Sequence, residues 1–297
     1  MTKPVTCAGI MILMEEGRLS LIDPVEKYLP EFQGRKFSEV SRPPLIRDLM
    51  THTSGIAGST PAGYEKSGHT LAEVVQVAAR QPLQFEPGTK WSYSNLGIAT
   101  LGRIIEVVSG QPYERFLEER IFRPLAMKDT HFFLPAAKAG RLAAVYTDDH
   151  GTLKRDAADP LRAGWKYPMP EGGLYSTAPD MARFYQTMLN RGTLEGQRIL
   201  SPAAVELMTT VHTGNLTTGF APGMGYGLGW AVVKDPSGTF RMNSVGTYGH
   251  GGAYRTYGWV DAAKDLVGVL MFQRTNGGGD VADEINSFIA MAGAAVE

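Results

Sequence analysis

The sequence runs to 297 residues, 43% of them hydrophobic and 20% charged, with a net charge of −1. This is an ordinary globular composition, long enough for one large core or two closely packed lobes. Near-neutrality excludes a nucleic-acid or anionic-membrane partner, since both need a basic field, and a single cysteine, Cys7, excludes an internal disulfide.

No apolar run reaches the roughly 18 residues of a membrane helix. The stretch 5–14 is apolar like the core of a signal peptide, but Glu15, Glu16 and Gly17 come next, where small cleavage-site residues belong. The reading is therefore a cytoplasmic protein with no membrane partner, any targeting segment lying ahead of Met1. No Cys/His pair stands at metal spacing, so neither metal nor cofactor is expected. Cys7 sits in an apolar helical run and reads as core packing, not as a reactive thiol.

In chain order, 4–16 is apolar on nearly every face, the pattern of a helix in the middle of a protein. Pro4 suits its first turn and Gly17 its left-handed end. Asp23-Pro24 caps a short helix, 45–51 reads as another, and 71–80 as an amphipathic one. The turn Glu86-Pro87-Gly88 leads through 91–95 into a helix with apolar Leu96, Ile98, Leu101 and Ile105, ending at Gly110. Further helices are expected at 113–122, 178–189 and 202–209. From Gly225 the runs 226–233, 239–244, 254–261 and 266–273 are β-type, and the turns at 235–238 and 262–265 are short enough for antiparallel hairpins. A closing helix, about 281–291, comes after the break at Gly277-Gly278-Gly279. The expected fold is α+β, an antiparallel sheet covered by helices plus a helical lobe. It forms one domain over 1–297, with the helical lobe at about 20–220 and the sheet lobe built from about 1–17 and 225–297.

Three motifs carry candidate chemistry. Lys3 falls in the first turn of the buried helix, where an ammonium is costly unless it finds polar partners or loses its proton. A desolvated amine there is a general base; the other reading is a frayed, solvated lysine. Tyr93 and Asn95 supply a phenol to shuttle a proton and a carboxamide to hold an acyl group, although Y-x-N is common by chance. Gly249-His250-Gly251-Gly252 precedes the strand 254–261, where glycines let a ligand lie along a strand edge and backbone N–H groups face an oxyanion. Read alone, the glycines equally make a plain turn and His250 a satisfied loop histidine. The segment Thr51-His52-Thr53-Ser54-Gly55 reads as a helix-ending turn, because neighbouring residues seldom converge as a triad does. Trp91, Trp165, Tyr175, Tyr226, Trp230, Tyr254 and Tyr257 are either core residues or walls of an acyl pocket.

Taken in order, these segments resemble the serine β-lactamase and penicillin-binding-protein superfamily, in its class C β-lactamase and family VIII carboxylesterase branch. The stretch 1–32, MTKPVTCAGIMILMEEGRLSLIDPVEKYLPEF, is similar to the segment just after the serine of the family's S-x-x-K. Further similarity lies in LMTHTSG at 49–55, FEPGTKWSYSN at 85–95 and GGLYST at 172–177. His250-Gly251-Gly252 stands where the family has K-T-G, H-T-G or W-G-G. The resemblance implies that Lys3 accepts the serine proton and Tyr93 shares general base and acid duty. It gives Asn95 the acyl side of the substrate, and gives the strand after Gly252 the oxyanion donors. The implied reaction is acyl transfer through an acyl-enzyme on a small-molecule ester or lactam.

One departure shapes the rest of the expectation. The serine should stand immediately before Met1, and the sequence has no other S-x-x-K and no G-x-S-x-G. The chain therefore reads as N-terminally truncated just after its nucleophile, lacking the N-terminal helix and strands, and inactive. An exposed sheet edge would then invite self-association. Histidine in place of lysine at 250 favours acyl esters over carboxylate-bearing lactams. The alternatives are a β-lactamase or D-Ala-D-Ala peptidase, and a non-catalytic ligand-binding relative.

Overall fold

In the computed structural model, residues 1–150, 152–156, 161–219, 221–239, 242–275 and 283–296 are described. Helix α1 (Thr2–Glu15) opens the chain, and its residues from Thr2 to Leu13 are all buried. Its apolar periphery leaves no face for water, so neighbours must surround it. α2 (Ile46–Met50), α3 (Leu71–Arg80), α4 (Asn95–Ser109) and α5 (Tyr113–Leu117) pack as a group, α4 and α5 directly against it. Gly9 permits the closest approach: a Cβ there would stand 2.8 Å from Leu117 Cδ2 and 2.9 Å from Ile105 Cδ1. The expectation of a fold that lacks its N-terminal helix is thus corrected. A fully packed helix and the short elements after it are in place.

Local chemistry sets the helix ends. Thr70 and Glu73 exchange hydrogen bonds as a capping box at α3. Ser94 Oγ accepts from Gly97 N–H at 2.9 Å to start α4, and Gly110, at φ 74°, ends it. Thr177 and Ser201 cap α6 (Ala178–Leu189) and α7 (Pro202–Thr209) in the same way. The helix expected at 113–122 is divided: after α5 the chain widens into a π-helical turn, Glu118–Phe122.

The β structure falls into three sheets among the described residues. A mixed one joins β1 (Tyr146–Asp149), β2 (Thr152–Arg155) and β10 (Arg274–Thr275), and β3 (Thr193–Leu194) pairs with β4 (Gln197–Arg198). The main sheet is a five-stranded antiparallel meander of β5 (Met224–Tyr226), β6 (Ala231–Val233), β7 (Tyr248–Gly251), β8 (Tyr257–Asp261) and β9 (Leu266–Leu270). α6 lies against β8 and β9, the Tyr185 ring filling the space over Gly258. α9 (Asp283–Ala294) brings Ile285 and Ile289 to Tyr257 and Trp259. β8 is therefore buried along its whole length.

Three strand expectations are corrected. The run 226–233 is broken because Gly229, at φ 85°, turns tightly against α1, where a Cβ would meet Cys7 Sγ at 2.6 Å. A short helix, α8 (Pro236–Thr239), stands where the strand 239–244 was to begin, and residues 240–241 lie outside the described ones. β7 was not expected as a strand at all. Its glycines have low β propensity, yet Gly249 lets the hairpin close, since a Cβ would stand 2.6 Å from Gly258 O. The Gly277–Gly279 break also lies outside the described residues.

Candidate active site

The first turn of α1, the extended segment ahead of α4, strand β7 and the loop 167–173 meet at one place. Lys3 is 5% exposed, and its Nζ donates to the Glu171 carbonyl at 2.7 Å. The same Nζ lies 4.6 Å from the centre of the Tyr93 ring. α1 pins the loop that carries Glu171: Thr6 Oγ1 donates to Pro170 O at 2.7 Å, and Leu174 N–H donates to Thr2 Oγ1 at 3.3 Å. The Glu171 side chain is buried in its turn. It accepts from Lys66 Nζ at 3.1 Å and from Tyr167 O–H at 2.7 Å. Burial, then the Glu171 charge, pushes the Tyr167 phenol well above its usual range, so it remains a donor.

His250 lies within β7 and is 3% exposed. Its Nδ1 donates to Gly251 O at 2.7 Å, so in the neutral ring Nε2 is the acceptor for Tyr93 O–H at 3.4 Å. Burial, then the positive charges of the Met1 amine and Lys3, hold its pKa well below 6.5. The ring facing Tyr93 is therefore uncharged at neutral pH. Asn95 is the first residue of α4, two positions past Tyr93, with its N–H donating to Gly58 O at 2.9 Å.

Gly251 and Gly252 are placed differently from the expectation. The strand after them begins at Tyr257, and the Gly252 N–H donates to Thr256 O at 2.8 Å, closing the β7–β8 hairpin. A Cβ on Gly252 would stand 2.2 Å from Thr256 Oγ1. Gly252 is thus a hairpin glycine whose amide is already engaged.

Sequence reasoning passed over Lys66, Tyr167 and Glu171, and read His52 only as part of a helix-ending turn. His52 does end α2, in a left-handed conformation at φ 59°, but it is also 1% exposed with its ring 4.4 Å from that of Tyr93. The available signal for Glu171 was its place beside Gly172-Gly173, where a carboxylate in an apolar loop needs partners. Of the aromatic candidates, Trp91 and Tyr226 surround His52 at 6.0 and 5.0 Å. Trp230 packs in the core against Phe184, and Trp165 and Tyr175 flank the Arg162 guanidinium. Ser94, the serine adjoining Tyr93, has its Oγ engaged at both ends, by Ala57 O at 2.8 Å and by Gly97 N–H. Among the described residues no three His, Cys, Asp or Glu side chains gather as a metal ion would require, and no helix is long and apolar enough to cross a membrane.

Comparison with known proteins places this geometry. The family model described as Beta-lactamase matches residues 1–290. Protein Rv1367c of Mycobacterium tuberculosis is 33% identical over 92% of this chain and 76% of its own length. Penicillin-binding protein 4 of Amycolatopsis lactamdurans is 33% identical over 93% of this chain and 70% of its own. The solved structure of EstCE1, a hydrolase with promiscuous acyltransferase activity, superposes with a TM-score of 0.82 at 25% identity, covering 98% of this chain and 81% of that one. With α1 packed at the centre, the expectation of a fold without its opening helix is overturned, and the family match over residues 1–290 overturns that of an inactive scaffold. The catalytic alternatives, β-lactamase or D-Ala-D-Ala peptidase, are better backed than the inactive reading. The chain belongs to the β-lactamase family, and it is a serine-hydrolase-type enzyme of the esterase, β-lactamase and penicillin-binding-protein fold.

Proposed function

We propose that this protein forms and hydrolyses an acyl-enzyme on small acyl donors that carry no carboxylate. The observation that supports this is the convergence of Lys3, Tyr93 and a neutral His250. In the reading, Lys3 and Tyr93 take the proton of the nucleophilic hydroxyl as its oxygen bonds to the acyl carbon. The bond to the alcohol or amine oxygen or nitrogen then breaks, and the proton passes to that leaving group. Water repeats the sequence in reverse order to release the acid. His250 accepts from the Tyr93 phenol and orients it. Asn95 and the end of β7 at Gly251 hold the substrate. Because His250 is uncharged, it offers no cation to a substrate carboxylate.

A second reading, action on β-lactams or D-alanyl peptides, is favoured by the identity to penicillin-binding protein 4. A substrate panel separates the two: p-nitrophenyl acetate and butyrate, nitrocefin, and D-alanyl-D-alanine. Ester turnover well above that of nitrocefin is expected, with kcat reduced at least ~100-fold by Lys3→Ala or Tyr93→Phe. Nitrocefin turnover above the esters would move the protein to the second reading. A fluorophosphonate probe, with mass spectrometry of the labelled peptide, identifies the nucleophile. No labelling together with no turnover across the panel would sink the acyl-enzyme reading. Self-association through the β9 edge of the main sheet belongs to the same reading, and light scattering tests it.

A further inference from the structure

We infer that His52 is a positioning residue, a two-point clamp that fixes the Tyr93 side chain from both sides of its backbone. Its consequence for rate rests on the acyl-transfer reading above; the clamp itself does not. The amides on either side of Tyr93 both end on His52. Ser92 N–H donates to the His52 carbonyl at 2.9 Å, and Ser94 N–H donates to His52 Nδ1 at 3.1 Å. Between these bonds the imidazole lies against the phenol ring, with ring centres 4.4 Å apart. A tyrosine held at the preceding amide, the following amide and one ring face retains little freedom to swing.

His52 is itself held firmly. It leaves α2 in the left-handed region, which bulky residues seldom adopt. The turn beginning there is tied down by Thr53 N–H to Asp48 O at 2.8 Å, and Asp48 in turn accepts from Arg42. The same turn laces to the segment that bears Tyr93 through Gln84 N–H to Gly55 O and Gly88 N–H to Thr53 O, both 2.8 Å. The clamp is one rung of a ladder between two segments, and this rung alone encloses Tyr93 on both sides.

The bond to Ser94 also fixes the ring's chemistry. Nδ1 accepts, so the proton of the neutral ring is on Nε2. That nitrogen is buried without a hydrogen-bond partner among the described atoms. A helix-ending turn requires no such arrangement, since a residue there is free to face water. Burial, then the Lys3 charge, keeps the ring from taking a second proton, which would sit on Nδ1 and break the bond to Ser94.

The test reads Tyr93 directly and turnover separately. The protein is made with 3-fluorotyrosine, and Tyr93→Phe identifies the Tyr93 fluorine resonance. His52→Leu keeps apolar volume but removes the acceptor. His52→Asn puts an amide oxygen near the place of Nδ1 and tolerates the left-handed backbone. The Tyr93 resonance is expected to move in the leucine variant and stay in place in the asparagine variant. With an ester substrate, kcat falls ~10–100-fold in His52→Leu with KM within about threefold, and His52→Asn restores it. A Tyr93 resonance unmoved in His52→Leu, or moved equally in both variants, overturns the clamp. Turnover indifferent to Tyr93→Phe overturns the function reading while leaving the fluorine result to decide the clamp. In the unsubstituted protein, the imidazole ¹⁵N shifts of His52 must report the Nε2-protonated tautomer; the opposite tautomer also refutes the proposal, whether or not any variant folds.

Discussion

Removing the Glu171 carboxylate tests whether the loop beneath Lys3 is held by a buried ion pair. Glu171 is 6% exposed and satisfies two donors, Tyr167 O–H and Lys66 Nζ. Its side chain is almost enclosed, while that of Lys66 keeps 20% of its surface, so solvent weakens one side of the pair. Glu171→Gln leaves an oxygen for the phenol and removes the charge, a loss of about 1–2 kcal/mol. Glu171→Ala strands both donors, and the loss rises to about 3 kcal/mol. In a chain of this size that lowers Tm by about 5 °C or more. Urea unfolding monitored by circular dichroism gives the free energies. Lys66→Met alone leaves a buried carboxylate, so it should cost more than Lys66→Met combined with Glu171→Gln. Because Lys3 is anchored on the Glu171 carbonyl, kcat should fall with stability in Glu171→Ala. Single-variant losses that simply add in the double variant would show that the two side chains are uncoupled, and the reasoning would be wrong.

Packing and protonation give the other expectations. Gly268 lies across from Trp259 in the β8–β9 pairing, and a Cβ there would stand 2.0–2.3 Å from the indole. Gly268→Ala should cost about 1–3 kcal/mol and alter tryptophan emission; an unchanged Tm would show the ring free to move aside. His52 and His250 both have pKa values held well below 6.5, chiefly by burial. The unfolded chain therefore takes up protons that the folded chain refuses. Stability should fall as pH drops below about 6.5, by up to ~1.4 kcal/mol per pH unit for each group. Between pH 6.5 and 5 the slope should be shallower in His250→Gln, and a flat profile in the parent protein would contradict the burial of both rings.

Much of the helical framework was legible because its end signals are local. The segments 71–80, 178–189 and 202–209 begin at Thr70, Thr177 and Ser201, and the structure sets those helices at the same residues. β7 was hidden because Tyr248–Gly251 has two glycines in four residues, and its strand conformation is imposed by β6 and β8 on either side. The break at Gly229 depends on a contact with Cys7 more than two hundred residues earlier, which no window of sequence contains. The site divides in the same way. Lys3, Tyr93 and His250 could be picked out one by one by residue type, and the structure brings them together. His52 and Glu171 act through atoms far along the chain, so their types alone gave no signal. The expectation of an inactive chain without its opening helix was mistaken, for the structure has a central helix there and the family match runs over residues 1–290.

The fit between Cys7 and Gly229 has a practical consequence. The thiol is fully enclosed, and burial pushes its pKa far up, so in the native state it is almost never the reactive thiolate. Thiol-reactive dyes therefore meet a silent target until the central helix separates from the turn around it. The rate at which such a dye attaches counts how often the molecule's middle opens, making an unaltered side chain a clock for whole-protein breathing.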